Sequence, residues 1–102
     1  MKILFTRQSE KHLESIYQFY FQKNEQVAAS IYNQILDEIE FLKNQPYMAA
    51  IELLLAGRAR SYRGLVVCRL FKVIYYVEND TIIVADIWDC RQEPAKHTKN
   101  LY

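Results

Sequence analysis

The sequence predicts an α+β fold in which a helical hairpin packs on one face of a twisted, mainly antiparallel sheet, in the order β-α-α-β-β-β. Three observations predict it. Apolar residues recur at helical spacing through the first half of the chain. Val, Ile, Tyr and Phe alternate at strand spacing through the second half. Helices and then strands occur in runs, not in alternation, which favours layering of two helices against one sheet over a parallel α/β arrangement. At 102 residues, with 51% hydrophobic residues and only two Gly and two Pro, the whole chain, 1–102, reads as a single folded domain able to bury its own core.

Ile3-Leu4-Phe5 reads as a short buried strand. Thr6 or Ser9 then offers a helix N-cap, although Ser9 with His12 three residues on is not a capping box. A first helix is expected from about Ser9 to Gln22, with Leu13, Ile16, Tyr17 and Tyr20 on one face. Lys23-Asn24 interrupts the run. A second helix from about Glu25 to Lys43 carries the stripe Ala28, Ile31, Tyr32, Ile35, Ile39 and Leu42. Asn44-Gln45-Pro46 ends it, because the residue before a proline avoids helical geometry. Residues 47–57 read either as a helical turn or as an extended loop. Strands are expected over Arg60 to Val67, Phe71 to Glu78 and Thr81 to Cys90, with Cys68-Arg69-Leu70 and Asn79-Asp80 as the turns.

Alternation assigns faces to these strands. Ile83, Ala85 and Ile87 are expected to meet the helices, and Ile82, Val84, Asp86 and Trp88 to point the other way. On the preceding strand Phe71, Val73, Tyr75 and Val77 form the apolar set, opposite Lys72, Ile74 and Tyr76. This places Lys72, Tyr76, Asp86 and Trp88 on one open, curved sheet face, basic and available to a larger molecule.

Charge is uneven. Residues 1–57 hold five Lys/Arg against seven Asp/Glu, and residues 58–102 hold eight against five, within a net charge of +1. Such asymmetry can mark a site for an anionic partner. Cys68 and Cys90 have no companion residues at zinc-ligand spacing and read as small hydrophobes in or beside strands. The first residues contain three consecutive apolar side chains, which makes neither a signal peptide nor a membrane span, so a reducing cytoplasm is the expected location. No cofactor or metal is implied, and no membrane.

The helix pair Leu13-x-x-Ile16-Tyr17, then Ala28-x-x-Ile31-Tyr32 and Ile39-x-x-Leu42-x-x-x-Pro46, carries a family pattern. So do Tyr62-Arg63-Gly64-Leu65-Val66-Val67, Phe71-Lys72-Val73-Ile74-Tyr75-Tyr76 and the ending Ile87-Trp88-Asp89-Cys90-Arg91-Gln92-Glu93-Pro94. Together they resemble the ParE branch of the RelE/ParE toxins of type II toxin–antitoxin systems, over nearly the whole chain. The weight lies in element order, spacing and the terminal W-D-x-R-x-x-P.

The resemblance implies a plasmid-stabilisation-like toxin that arrests bacterial growth and is neutralised by a cognate antitoxin protein. ParE-like members poison DNA gyrase without known hydrolytic chemistry. RelE-like members are endoribonucleases that cut messenger RNA on the ribosome. Under the nuclease alternative, the resemblance places Arg63, Lys72 and Arg91 as phosphate clamps and His97 as acid or base, with Leu65 where a second basic residue stands in that branch. Arg91 could instead pair with Asp89 or Asp86, and His97 could be a solvated tail residue. Tyr76, Asp86 and Trp88 are candidates for partner binding, and a non-toxic binding module is a further alternative.

Overall fold

The start of each long helix is set by one side chain. The computed structural model describes residues 1–99 and 101, and in it strand β1 (Lys2–Phe5) leads directly into helix α1 (Arg7–Phe21). Thr6 is the N-cap: its Oγ1 accepts the Ser9 N–H at 3.2 Å and donates to the Ala85 carbonyl at 2.9 Å. One hydroxyl thus starts the helix and ties it to the sheet. Asn24 caps α2 (Glu25–Phe41) by accepting the Val27 N–H at 3.1 Å. The two helices are antiparallel neighbours joined by residues 22–24, and Tyr17 meets Tyr32 edge-on across them at 5.5 Å.

After α2 the chain forms a two-residue strand β2 (Ala50–Ile51) and a 3-10 turn at Leu53–Leu55. Residues 47–57 are therefore both of the alternatives, in succession, and add a strand that the sequence pattern did not show. Strands β3 (Arg63–Val67), β4 (Phe71–Glu78) and β5 (Thr81–Asp89) come next, and a single helical turn α3 (Pro94–His97) comes last. The first of these strands starts three residues later than expected, since Arg60 and Ser61 have no ladder partner.

The sheet order is β1-β5-β4-β3-β2. Only β1 and β5 run parallel; every other pair is antiparallel. Both tight turns use left-handed backbone, with φ of 53° and 60° at Cys68 and Arg69 and 51° and 59° at Asn79 and Asp80. The second is the two-residue turn whose twist matches a hairpin.

The main core lies between the helices and the sheet. Leu13, Ile35, Ile39 and Leu42 meet Leu65, Val67, Phe71, Val73, Tyr75, Ile82, Val84 and Ile87. Tyr75 is fully buried and donates to the Pro46 carbonyl at 2.8 Å; burial pushes its phenol pKa up.

The expected faces of the last strand need correction. Ile82 and Val84 point into the main core, not away from it, and Ala85 points to the opposite side. The cause is a β-bulge: Val84 pairs with Tyr75 and Asp86 with Ile74, which leaves Ala85 as an extra residue. One extra residue reverses the parity of everything before it. Strand β4, which holds no extra residue, keeps the expected alternation.

The expectation of an open far face is corrected as well. A second, smaller core of Leu55, Tyr62, Ile74, Ala85 and Trp88 occupies it, with Tyr76 and Leu101 packed alongside. Asp86 and Trp88 are 1% and 3% exposed. The residues that cover them come from the 3-10 turn, the segment before β3 and the C-terminal segment. Cys68 is half-buried and Cys90 exposed, each just past the end of a strand. Among the described residues, no helix is long and apolar enough to cross a membrane.

Candidate functional site

Strand β5 outruns its neighbour. β1 pairs only with Thr81 to Val84, and beyond that point the start of α1 takes the place of a strand. The Thr6 N–H donates to the Val84 carbonyl at 3.0 Å. Gln8 Nε2 donates to Asp86 Oδ2 at 2.8 Å, and His12 Nδ1 lies 2.5 Å from Asp86 Oδ1. Asp86 Oδ1 also accepts the Ile87 N–H at 2.8 Å, and Oδ2 accepts Trp88 Nε1 at 3.1 Å. Four donors around one carboxylate offset the large cost of removing it from water.

The carboxylate orients His12 through Nδ1 and leaves Nε2 for the outside. The His12 side chain is half exposed on an otherwise buried acid. It lines a cleft of about 320 Å³ between α1 and residues 89–97, together with Ser15, Phe19, Tyr20, Arg91 and His97.

The opposite wall of this cleft is the end of β5 with the turn and short helix after it. Arg91 grips Asp89 with two parallel bonds, Nε to Oδ1 at 3.0 Å and Nη2 to Oδ2 at 2.9 Å. The guanidinium holds the Asp89 carboxyl below the usual carboxylate range, and the carboxylate in turn raises the arginine, with the Tyr20 hydroxyl beside it. His97 donates Nε2 to the Asp89 carbonyl at 2.9 Å. Its ring stacks on Trp88 with centroids 4.9 Å apart and planes 13° apart. His97 is therefore held in place by a ring and a carbonyl.

Of the four residues placed as a nuclease set, only Arg91 and His97 come together. Arg63 lies at the helix-side edge, where Nη1 donates to the Ala49 carbonyl at 2.7 Å and the guanidinium covers the Tyr47 ring at 5.1 Å. Lys72 faces the other way and binds Glu52 Oε1 at 2.6 Å, with Trp88 5.9 Å from its ammonium. Gly64 makes room for that ion pair, since a Cβ there would stand 2.7 Å from Lys72 Cδ and 2.9 Å from Glu52 Oε1. Leu65, at 9% exposure, belongs to the main core. Among the three partner-binding candidates, Asp86 and Trp88 are internal, and Tyr76 packs edge-on against Tyr62 at 5.6 Å with Arg60 above it at 4.4 Å.

Sequence reasoning missed His12. A signal existed: it begins the i, i+4 row that continues through Ile16 and Tyr20, both on the expected core face. Its acid lies 74 residues away, beyond the reach of any local pattern.

A helical hairpin on a mixed sheet defines a fold that solved structures share. One is a chromosomal ParDE toxin–antitoxin system from P. aeruginosa, with a TM-score of 0.71, 20% identity, and coverage of 87% of this chain and 95% of the other. Another is the YoeB dimer from Staphylococcus aureus, with a TM-score of 0.58, 18% identity and coverage of 84% and 92%. A YoeB–YefM complex from the same organism gives 0.56, 17%, 85% and 93%. Curated protein sequences yield no significant match. Residues 3–94 match the family described as the ParE toxin of type II toxin–antitoxin system, parDE. The chain belongs to the ParE toxin family of the RelE/ParE superfamily.

Proposed function

We propose that this toxin arrests bacterial growth by binding a macromolecular target, with DNA gyrase as the first candidate, and that a cognate antitoxin masks it by direct contact. Family membership supports the antitoxin, as does the YoeB–YefM complex among the similar structures. The observation that carries the binding reading is the dispersal of the basic residues. Arg63 and Lys72 serve internal partners on opposite faces of the sheet, and Leu65 is core, so they do not converge on one scissile phosphate.

A ribosome-dependent endoribonuclease is the second reading. It is favoured by one observation, the meeting of Arg91 and His97 in the cleft beside the His12–Asp86 pair. Induced expression in a bacterial host separates the two. Growth arrest with loss of supercoiling or DNA breakage is the expected result. Arrest with cleaved messenger RNA, abolished by Arg91→Ala, would install the nuclease instead. Absence of arrest would leave an inert binding module and sink both.

A further inference from the structure

We propose that the free edge of the sheet at β2 is a self-association site. A second copy of this chain pairs its own β2 antiparallel to the first, across a two-fold axis at Ile51. The inference is independent of the cellular target, because it concerns the toxin alone.

β2 ends the sheet order, so its outer side faces no strand. Its inner side is committed to β3. Ala50 stands opposite Gly64, and the Glu52 N–H donates to the Tyr62 carbonyl at 2.8 Å. Backbone groups alternate sides along a strand, so the N–H and C=O of Ile51, between these two, point outward. A two-fold pair needs one residue with both groups turned out. The Ile51 N–H of each copy then reaches the Ile51 carbonyl of the other, and the two bonds close a ring that satisfies both residues.

The surface around this edge is apolar. Tyr47, Met48, Ile51, Leu53, Leu54 and Val66 are 44–80% exposed. They stand on or beside β2 and on the strand it pairs with. Together they expose on the order of 500 Å², which approaches the roughly 800 Å² per partner of a stable interface. Single apolar side chains on a surface are ordinary, but six along one edge mark a contact.

The same surface lacks free charge. From Tyr47 to Gly57 the one charged residue is Glu52, which is 7% exposed and holds Lys72 at 2.6 Å. Arg63, opposite Ile51 in the ladder, turns its guanidinium back onto the Tyr47 and Ala49 carbonyls. A partner selected by charge has little to read here. A second copy needs none, because symmetry sets the uncharged surface against itself and brings no bare like charges together at the axis.

Sedimentation equilibrium of the purified toxin, from micromolar to sub-millimolar concentration, tests this. The expected result is a reversible dimer, with at least tenfold weaker association in Leu53→Glu and in Ile51→Pro. Leu53 is 80% exposed, so a glutamate there spares the fold and sets two charges face to face. A proline at 51 removes a donor that the toxin's own ladder does not use. Opposed Ile51 residues place their Cα atoms about 5.5 Å apart, within reach of a disulfide. In a Cys90→Ser background, Ile51→Cys should therefore cross-link to its own copy on oxidation, and Leu4→Cys, exposed on β1 at the other edge of the sheet, should not. A toxin that stays monomeric throughout overturns the proposal, as does a dimer that both Leu53→Glu and Ile51→Pro form as tightly as the parent with unchanged circular dichroism. Cross-linking at Leu4→Cys and not at Ile51→Cys overturns it too. So does a monomeric toxin whose Leu53→Glu variant no longer co-purifies with co-expressed antitoxin, a result that gives the edge to the antitoxin.

Discussion

Asp86 is the residue on which the two sides of the molecule meet. It is 1% exposed, and its oxygens take two donors from α1 and two from β5. Asp86→Ala orphans Gln8, His12, the Ile87 N–H and the Trp88 indole at once. The expected loss is about 3 kcal/mol or more in urea unfolding, because the unpaired donors lose water without compensation; a loss under about 1 kcal/mol would contradict that role for the carboxylate. Asp89 behaves differently. Its carboxyl is held below the usual range by Arg91 in the folded state. That linkage contributes stability above about pH 4, and the contribution fades as pH falls through the lower folded value. Because the Arg91 side chain is about half exposed, the effect is small. The acid-induced fall in unfolding midpoint should be slightly shallower in Arg91→Gln than in the parent, and an identical fall would remove the linkage.

At the scale of elements, the hairpin β4–β5 organises the sheet. Its turn places Asn79 and Asp80 at φ of 51° and 59°, where residues with a Cβ are strained. Asp80 gives only a 4.0 Å ion pair with the N-terminus in return. Asp80→Gly should therefore raise stability by about 0.5–1 kcal/mol, read as a higher melting temperature. A lower one would show that the aspartate is needed for more than its backbone. The bulge at Ala85 is the other decisive local feature. It turns Ile82 and Val84 into the main core and still delivers Asp86 to α1 and Trp88 to the far face. The N-cap Thr6 reaches the same place, since its hydroxyl donates to the Ala85 carbonyl.

Across the whole molecule, the sheet has apolar side chains packed on both faces, but the two covers differ in strength. The helices cover one face with long apolar stripes. The other is covered in part by the C-terminal segment, through the His97 ring, Leu101, and two bonds from the exposed Arg58 to the Thr98 and Leu101 carbonyls at 3.2 and 3.0 Å. Arg58 thus anchors the described part of this segment over Trp88. Arg58→Ala should shift Trp88 emission to the red and raise its quenching by iodide, with the melting temperature nearly unchanged. Unaltered quenching would mean that Trp88 is shielded without that anchor.

The strength of local pattern decides what could be read in advance. The stripes Leu13 to Tyr20 and Ala28 to Leu42, the left-handed turn at Asn79-Asp80 and the strand Phe71–Glu78 are each written within a dozen or so neighbouring residues, and each is found as expected. The family pattern, which depends on the order of those elements, was legible for the same reason. β2 was not, because two residues carry no period. The faces of β5 were misjudged because a bulge is a relation between strands and changes parity without changing composition. The cleft required His12, Arg91 and His97 to be gathered from opposite ends of the chain. The sequence alone determined the two long helices, the four longer strands and that the helices share one layer, since periodic burial is a local property of the chain. Only the tertiary structure decided that the far face is filled, that Arg63 and Lys72 stand apart, and that His12 rests on Asp86, because those depend on which distant residues are brought within a hydrogen bond of each other.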